Sequence, residues 1–267
     1  MKVMPQSVTQ RIVTRKGTRI EIIDAGGFLL DGGSMFGRIP RVMWEKWFPA
    51  DDKNRILMAT NTLRVETDAE TYLVDCGMGT AYDEKTRRIL GIENQGPYVI
   101  KGGIDHLICT HLHFDHIGGV HNLDIQGDII VSQKEWTDAW IKDPLTQGSY
   151  RGKDLEIIKK KVSLVDGQTD LTPAIRLIPT PGHTRGHMGV LIDDEVFFAG
   201  DLVPTSSHVH LPCIMAYDLF PVEVMRTKED ILGQAAENNW LIVFEHDPYR
   251  ATGRVQREGD SFVLSEI

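Results

Sequence analysis

No apolar run in this chain is long enough to cross a bilayer, and its first residues, Met1-Lys2-Val3-Met4-Pro5-Gln6, lack the apolar core of a secretory signal. A membrane partner is therefore not expected, and the expected compartment is the cytoplasm. Basic residues are in short supply: 29 Lys and Arg stand against 38 Asp and Glu, a formal net charge of −9. That balance argues against a phosphate backbone as the main partner, so no nucleic-acid partner is expected. The run Lys159-Lys160-Lys161 closes a predicted helix, where cations complement the helix dipole. Cysteine is scarce as well. Cys76, Cys109 and Cys213 have no close-paired spacing; the first two close apolar runs and read as core. Internal repeats and low-complexity segments are absent. What remains is an ordinary globular composition, 41% hydrophobic and 25% charged over 267 residues, long enough for a substantial core and read as one domain over 1–267.

Against that plain background one stretch stands out. Thr110-His111-Leu112-His113-Phe114-Asp115-His116-Ile117-Gly118-Gly119 places four potential metal ligands within six residues. It follows Leu107-Ile108-Cys109, a short apolar run that reads as a buried strand, so the ligands sit on the loop leaving a strand end. Imidazole and carboxylate suit zinc, and also iron, manganese or cobalt. One cation cannot easily take all four groups from so short a loop. The i, i+2 pair His111 and His113 can turn toward one metal, with Asp115 and His116 pointing to a second position nearby. Three later apolar runs also end in ligand types. Thr180-Pro181-Gly182-His183-Thr184-Arg185-Gly186-His187 follows one, Gly200-Asp201 another, and Glu245-His246-Asp247 a third.

Taken in order, HxHxDH, TPGHTxGH, a strand ending Gly-Asp and a strand ending in His resemble the metallo-β-lactamase-fold hydrolase superfamily. Leu30 to Gly37 and Trp44 to Asp51 add a resemblance to its N-acyl-homoserine-lactonase-like branch. The resemblance implies an α/β fold, an αββα four-layer sandwich. It implies that His111, His113 and His183 bind a first metal, that Asp115, His116 and His246 bind a second, and that Asp201 bridges them. Lactonases of this branch carry a tyrosine shortly after the bridging aspartate. Here none occurs between Asp201 and Tyr217, and either His208 or Tyr217 is expected to take that role. His187 is expected to support the site rather than ligate, and Asp75 of Asp75-Cys76-Gly77 likewise.

The rest of the chain supplies elements. Gly26 to Gly37 is glycine-rich yet carries Phe28, Leu29, Leu30, Met35 and Phe36, and reads as a loop packed over the site. Met35 and Phe36 are expected to act as a mobile lid that shapes the substrate pocket. A short helix is predicted over Pro40 to Phe48, and another from the Thr80-Asp83 region to Leu90, stopped by Gly91. Ser132-Gln133-Lys134-Glu135 reads as a capping box opening a helix that Pro144 stops. Further helices are predicted over Asp154 to Val162 and from Pro221 to about Asn238. Hairpins are predicted around Thr67 to Glu70, Asp193 to Glu195 and Glu258 to Asp260.

The chemistry these residues imply is a dinuclear hydrolase. Two divalent cations, zinc by preference, lower the pKa of a shared water toward ~7 and give a bridging hydroxide that attacks a small ester or lactone. Asp115 is expected to orient that hydroxide and carry a proton. Phosphotriester or phosphodiester hydrolysis, metal-dependent thiol or redox chemistry, and a non-catalytic binding module are the competing readings.

Overall fold

The computed structural model describes residues 7–92, 98–100 and 102–265. The chain opens with the antiparallel pair β1 (Ser7–Val13) and β2 (Arg19–Asp24), then pairs β3 (Phe28–Asp31) with β4 (Arg55–Met58) as a separate ribbon. β5 (Asn61–Glu66), β6 (Thr71–Val74), β7 (His106–Ile108), β8 (Ile129–Ser132) and β9 (Val162–Val165) complete the first sheet, in the order β1-β2-β5-β6-β7-β8-β9. It is antiparallel up to β6 and parallel from β6 to β9. β10 (Thr169–Asp170), β11 (Ile175–Pro179), β12 (Met188–Ile192), β13 (Val196–Phe198), β14 (Leu241–Val243) and β15 (Thr252–Gly253) form the second sheet in chain order. β16 (Val255–Glu258) and β17 (Ser261–Leu264) close the chain as the predicted hairpin.

Side chains alternate across a strand, and that alternation builds four layers. Ile22, Val65, Val74, Ile108 and Ile130 of the first sheet meet Leu177, Val190, Ile192, Phe198 and Val243 of the second in one buried cluster. The intervening residues face outward. Leu73, Leu107 and Ile129 pack with Ala139, Leu155 and Ile158, from α5 (Gln133–Ala139) and α6 (Gly152–Ile158). Leu191, Phe197 and Ile242 pack against Val224, Ile231, Leu232 and Ala235 of α7 (Pro221–Glu237). This is the αββα sandwich. The earlier helices are α1 (Gly32–Phe36), α2 (Arg41–Trp44), α3 (Glu84–Ile89) and α4 (Phe114–Ile117). Among the described residues, no helix is long and apolar enough to cross a membrane.

Several local expectations change. The segment from Gly26 to Gly37 is not a loop. It forms β3 and α1, with the Asp31 carboxylate accepting from the Ser34 amide at 2.8 Å as an N-cap. The helix over Pro40 to Phe48 shortens to Arg41–Trp44. α3 starts at Glu84, because Asp83 accepts from the Thr86 amide at 2.7 Å and caps it there. α6 ends at Ile158, and Val162 already belongs to β9. Lys161, rather than sitting free at a helix end, donates to the Gln126 carbonyl at 3.2 Å. The capping box is absent: Ser132 makes no side-chain cap bond, and Glu135 is turned inward.

Candidate metal centre

β7, β11, β13 and β14 all deliver residues to the same end of the sandwich. Beyond β7 the chain bends at Thr110, is extended at His113 (φ −70°, ψ 154°), then turns into the single-turn helix α4. His111 and His113, two positions apart, fall into one group, and the helical turn sends Asp115 and His116 to another. Gly118 and Gly119 then pass against the chain leaving β6. A Cβ at Gly119 would lie 2.1 Å from the Cys76 carbonyl oxygen, so only glycine fits that approach. The amide of Cys76 donates to the His116 carbonyl at 2.7 Å and locks the turn.

Two groups of side chains result: His111, His113, His183 and Asp201 in one, Asp115, His116 and His246 in the other. All seven are buried. Asp201 lies between the groups. Its Oδ2 is 3.0 Å from His183 Nε2, 3.7 Å from His111 Nε2 and 3.6 Å from His116 Nε2, while its Oδ1 is 3.0 Å from His246 Nε2. His113 Nδ1 lies 3.0 Å from His183 Nε2, and His116 Nε2 lies 3.2 Å from His246 Nε2. Asp115 Oδ2 is 3.7 Å from His246 Nε2.

The far nitrogens of four imidazoles are held by acceptors. His111 Nδ1 donates to Thr110 Oγ1 at 3.1 Å, and that hydroxyl donates to Asp75 at 2.6 Å. His116 Nδ1 faces Asp75 and Glu245, each at 3.0 Å. His183 Nδ1 donates to Asp218 at 3.0 Å, and His246 Nδ1 to the Ala59 carbonyl at 2.8 Å. In each ring this fixes the orientation and turns Nε2 toward the centre. His111 Nε2 and Asp201 Oδ1, on the side of the cluster, are buried without a hydrogen bond, and His113 turns its Nδ1 toward His183 Nε2. Buried polar atoms left without a partner are costly, and a cation between them removes that cost. Divalent cations with nitrogen and oxygen preference fit this donor set.

The electrostatics divide the rings: at His116, His183 and His246 burial is outweighed by the carboxylates around them, chiefly Glu245 and Asp201, which hold all three above the usual histidine range, His246 at about 9. Burial, reinforced by the neighbouring imidazoles, pushes His111 and His113 well below the usual histidine range, so both are neutral. Burial would raise Asp201, but His183, His116 and His246 outweigh it and keep the carboxylate ionised. His187 stays outside the cluster's interior. Its Nδ1 bonds Thr180 Oγ1 at 2.7 Å and its Nε2 accepts the Asp201 amide at 3.0 Å, so it anchors the backbone of Asp201. Burial drives its pKa down to about 3.

The cluster forms the floor of a small cavity, about 60 Å³, walled by Leu30, Met35, Phe114, Ser149, Met215 and Tyr217. Larger hollows of about 410 and 500 Å³ lie away from the cluster. Of the expected pocket residues, Met35 and Tyr217 reach this cavity. Tyr217 is 39% exposed at its mouth, where its hydroxyl pairs with Ser34. Phe36 does not reach it. It is fully buried, stacked between Trp44 at 5.7 Å and His208 at 5.0 Å, so it is core and not a lid. His208 is also turned away: its Nε2 donates to the Met35 carbonyl at 2.9 Å and its Nδ1 accepts from Thr205 at 2.7 Å. With both nitrogens engaged it has no donor to offer a substrate. Sequence reasoning missed Asp218, Glu245 and Glu135. Glu245 stands beside His246 and Asp218 follows Tyr217, but nothing in either stretch signals that the carboxylate reaches the back of a histidine ring, and Glu135 carried a different signal.

Comparison with known proteins points one way. The model of the metallo-beta-lactamase superfamily matches residues 55–246. An atrochrysone carboxyl ACP thioesterase of Aspergillus fumigatus is 31% identical over 153 residues, 55% of this chain and 41% of that protein. An N-acyl homoserine lactonase of a Bacillus species is 32% identical over 90 residues, 34% of this chain and 33% of that protein. In both, the match spans less than half of the relative's length. Among solved structures, a probable metal-dependent hydrolase from Staphylococcus aureus has the same fold, with a TM-score of 0.84, 24% identity, and coverage of 100% of this chain and 99% of the other.

Proposed function

The chain belongs to the metallo-β-lactamase superfamily, and from that premise we propose that it is a dinuclear metal-dependent hydrolase of a small carboxylic ester or lactone. The observation that carries this reading is the Asp201 carboxylate set between two imidazole groups, with Oδ2 toward His183 and Oδ1 toward His246. His111, His113 and His183 would hold one divalent cation, Asp115, His116 and His246 the other, with zinc the expected metal. Two such cations would supply Lewis-acid polarisation of a carbonyl and a hydroxide nucleophile near neutral pH.

The chain's own groups do the rest. Asp115 lines the cavity and sits beside the second group, placed to take a proton from the attacking water and deliver it to the leaving oxygen. Tyr217 at the mouth offers a hydroxyl that can hold a substrate oxygen in place. Leu30, Met35, Phe114 and Met215 give an apolar wall for an acyl or aryl group. The cavity, about 60 Å³, is below the ~300 Å³ of an ordinary ligand site, and the unbranched, adaptable side chains of Met35 and Met215 in its wall give it room to open for substrate. A thioester is the second reading, favoured by the likeness to the thioesterase. The test is kcat/KM across matched lactone, thioester, aryl ester and phosphodiester substrates, on protein with its metal content measured. A carboxylic ester, lactone or thioester should lead; preference for the phosphodiester overturns the assignment.

A further inference from the structure

Glu135 lies on α5, on the outer side of the first sheet, with its carboxylate fully buried. Its sequence context suits a helix cap, yet the side chain turns away from its own helix. Oε1 accepts from the Leu112 amide at 3.0 Å and from the Tyr150 hydroxyl at 2.9 Å. Oε2 accepts from the Thr184 hydroxyl at 2.6 Å. Leu112 stands between His111 and His113, and Thr184 directly follows His183. One carboxylate thus joins the ligand loop after β7, in the first sheet, to the ligand loop after β11, in the second.

Two independent features lead to the same junction. Tyr150 packs its ring against His113, centroids 4.9 Å apart and edge to face. Gly186 brings the His183 loop into contact with the α5 backbone: a Cβ there would lie 2.1 Å from the Glu135 nitrogen. Burial raises the Glu135 pKa against the three donors that favour its charge, so a carboxyl group there is costly for the fold. A cap needs no such burial, and an apolar residue would fill the space at less cost. What the carboxylate adds is two short, directional ties between loops that carry His113 and His183, whose Nδ1 and Nε2 lie 3.0 Å apart.

We propose that Glu135 is a positioning residue that fixes the spacing of His113 and His183, and so sets the affinity and geometry of the first cation position. The inference rests on the reading that these two histidines share a cation. Its test is stepwise cobalt(II) or zinc binding by chelator competition on metal-free protein, with His183→Ala and His246→Ala marking the two positions. Glu135→Gln keeps the size and loses the second strong acceptor. It should weaken the position lost in His183→Ala on the order of 10- to 100-fold, the usual cost of removing a group that orients a metal-binding histidine. The position lost in His246→Ala should stay within about threefold, the same lower range of coupling that separates independent sites. The cobalt absorption of the first position should shift, and kcat should fall with KM retained. Thr184→Val removes one donor without touching α5. It should move the same position in the same direction, and it carries the test if Glu135→Gln does not fold. Equal losses at both positions tracking a lower Tm would mean a purely structural role and overturn the proposal, as would unchanged binding at both. Failure of the unmodified protein to bind any cation would instead overturn the metal reading itself.

Discussion

At the scale of single residues, the orientation of four clustered imidazoles is decided by an acceptor at the ring nitrogen facing away from the cluster. Removing a ring from either group should therefore empty that group first. His246→Ala should leave one cation bound and His183→Ala should lose the other, each read by elemental analysis against protein concentration. Retention of two in either variant would contradict the split. His208 makes a separate prediction, because it is buried away from the cluster. Burial and the nearby Lys228 charge push its pKa down to about 3, from an ordinary 6.5. Its folded form binds a proton less readily than its unfolded form, so its contribution to stability is present above pH 6.5 and is lost as the pH falls from there toward 3. The full effect is roughly 4–5 kcal/mol by pH 3. Chemical denaturation at pH 7, 5.5 and 4 should show this acid slope, and His208→Gln should flatten it. An unchanged slope would mean that other groups dominate acid unfolding.

Elements explain why some of this was legible in the sequence and some was not. The clustered residues follow β7, β11, β13 and β14, short apolar strands each succeeded within a few positions by a His or Asp of the cluster. Periodicity and motif point to the same place there, so the sandwich and the gathering of these seven side chains at one end of it were readable. The supporting carboxylates were not. Glu135 looked like part of a capping box because local spacing cannot say that a side chain leaves its helix for a loop of the other sheet. Asp218 meets His183 only through the tertiary fold. The segment holding Met35 and Phe36 was misjudged because glycine content suggested a loop, while the Asp31 cap and the aromatic stack on Trp44 make it a short helix. The two side chains then part company. Phe36→Ala should cost about 3–5 kcal/mol of stability, the usual price of deleting a fully buried aromatic ring, with metal content per folded chain unchanged. Met35→Ala should enlarge the cavity and shift preference toward bulkier acyl or aryl groups. Thermal denaturation with a substrate series separates them; a substrate-ranking change confined to Phe36→Ala would reverse these roles.

For the molecule as a whole, two sheets from the two halves of the chain meet over a shared apolar core, and the cluster lies where their strand ends converge. The first sheet contributes His111, His113, Asp115 and His116, and the second contributes His183, Asp201 and His246. Neither half holds a complete position, so cations should stabilise the sandwich as a unit and raise its Tm. The net charge of −9 gives no long-range attraction for polyanions, in keeping with a neutral ester or lactone as substrate. The most direct measurement is a titration of metal-free protein with zinc, following the hydrolysis of a lactone and an aryl ester at each addition. Two equivalents per chain should bind, with carboxylic ester or lactone hydrolysis reaching its maximum only as the second is filled. Full activity with one cation, or no hydrolysis of either substrate by protein carrying two, would contradict the account.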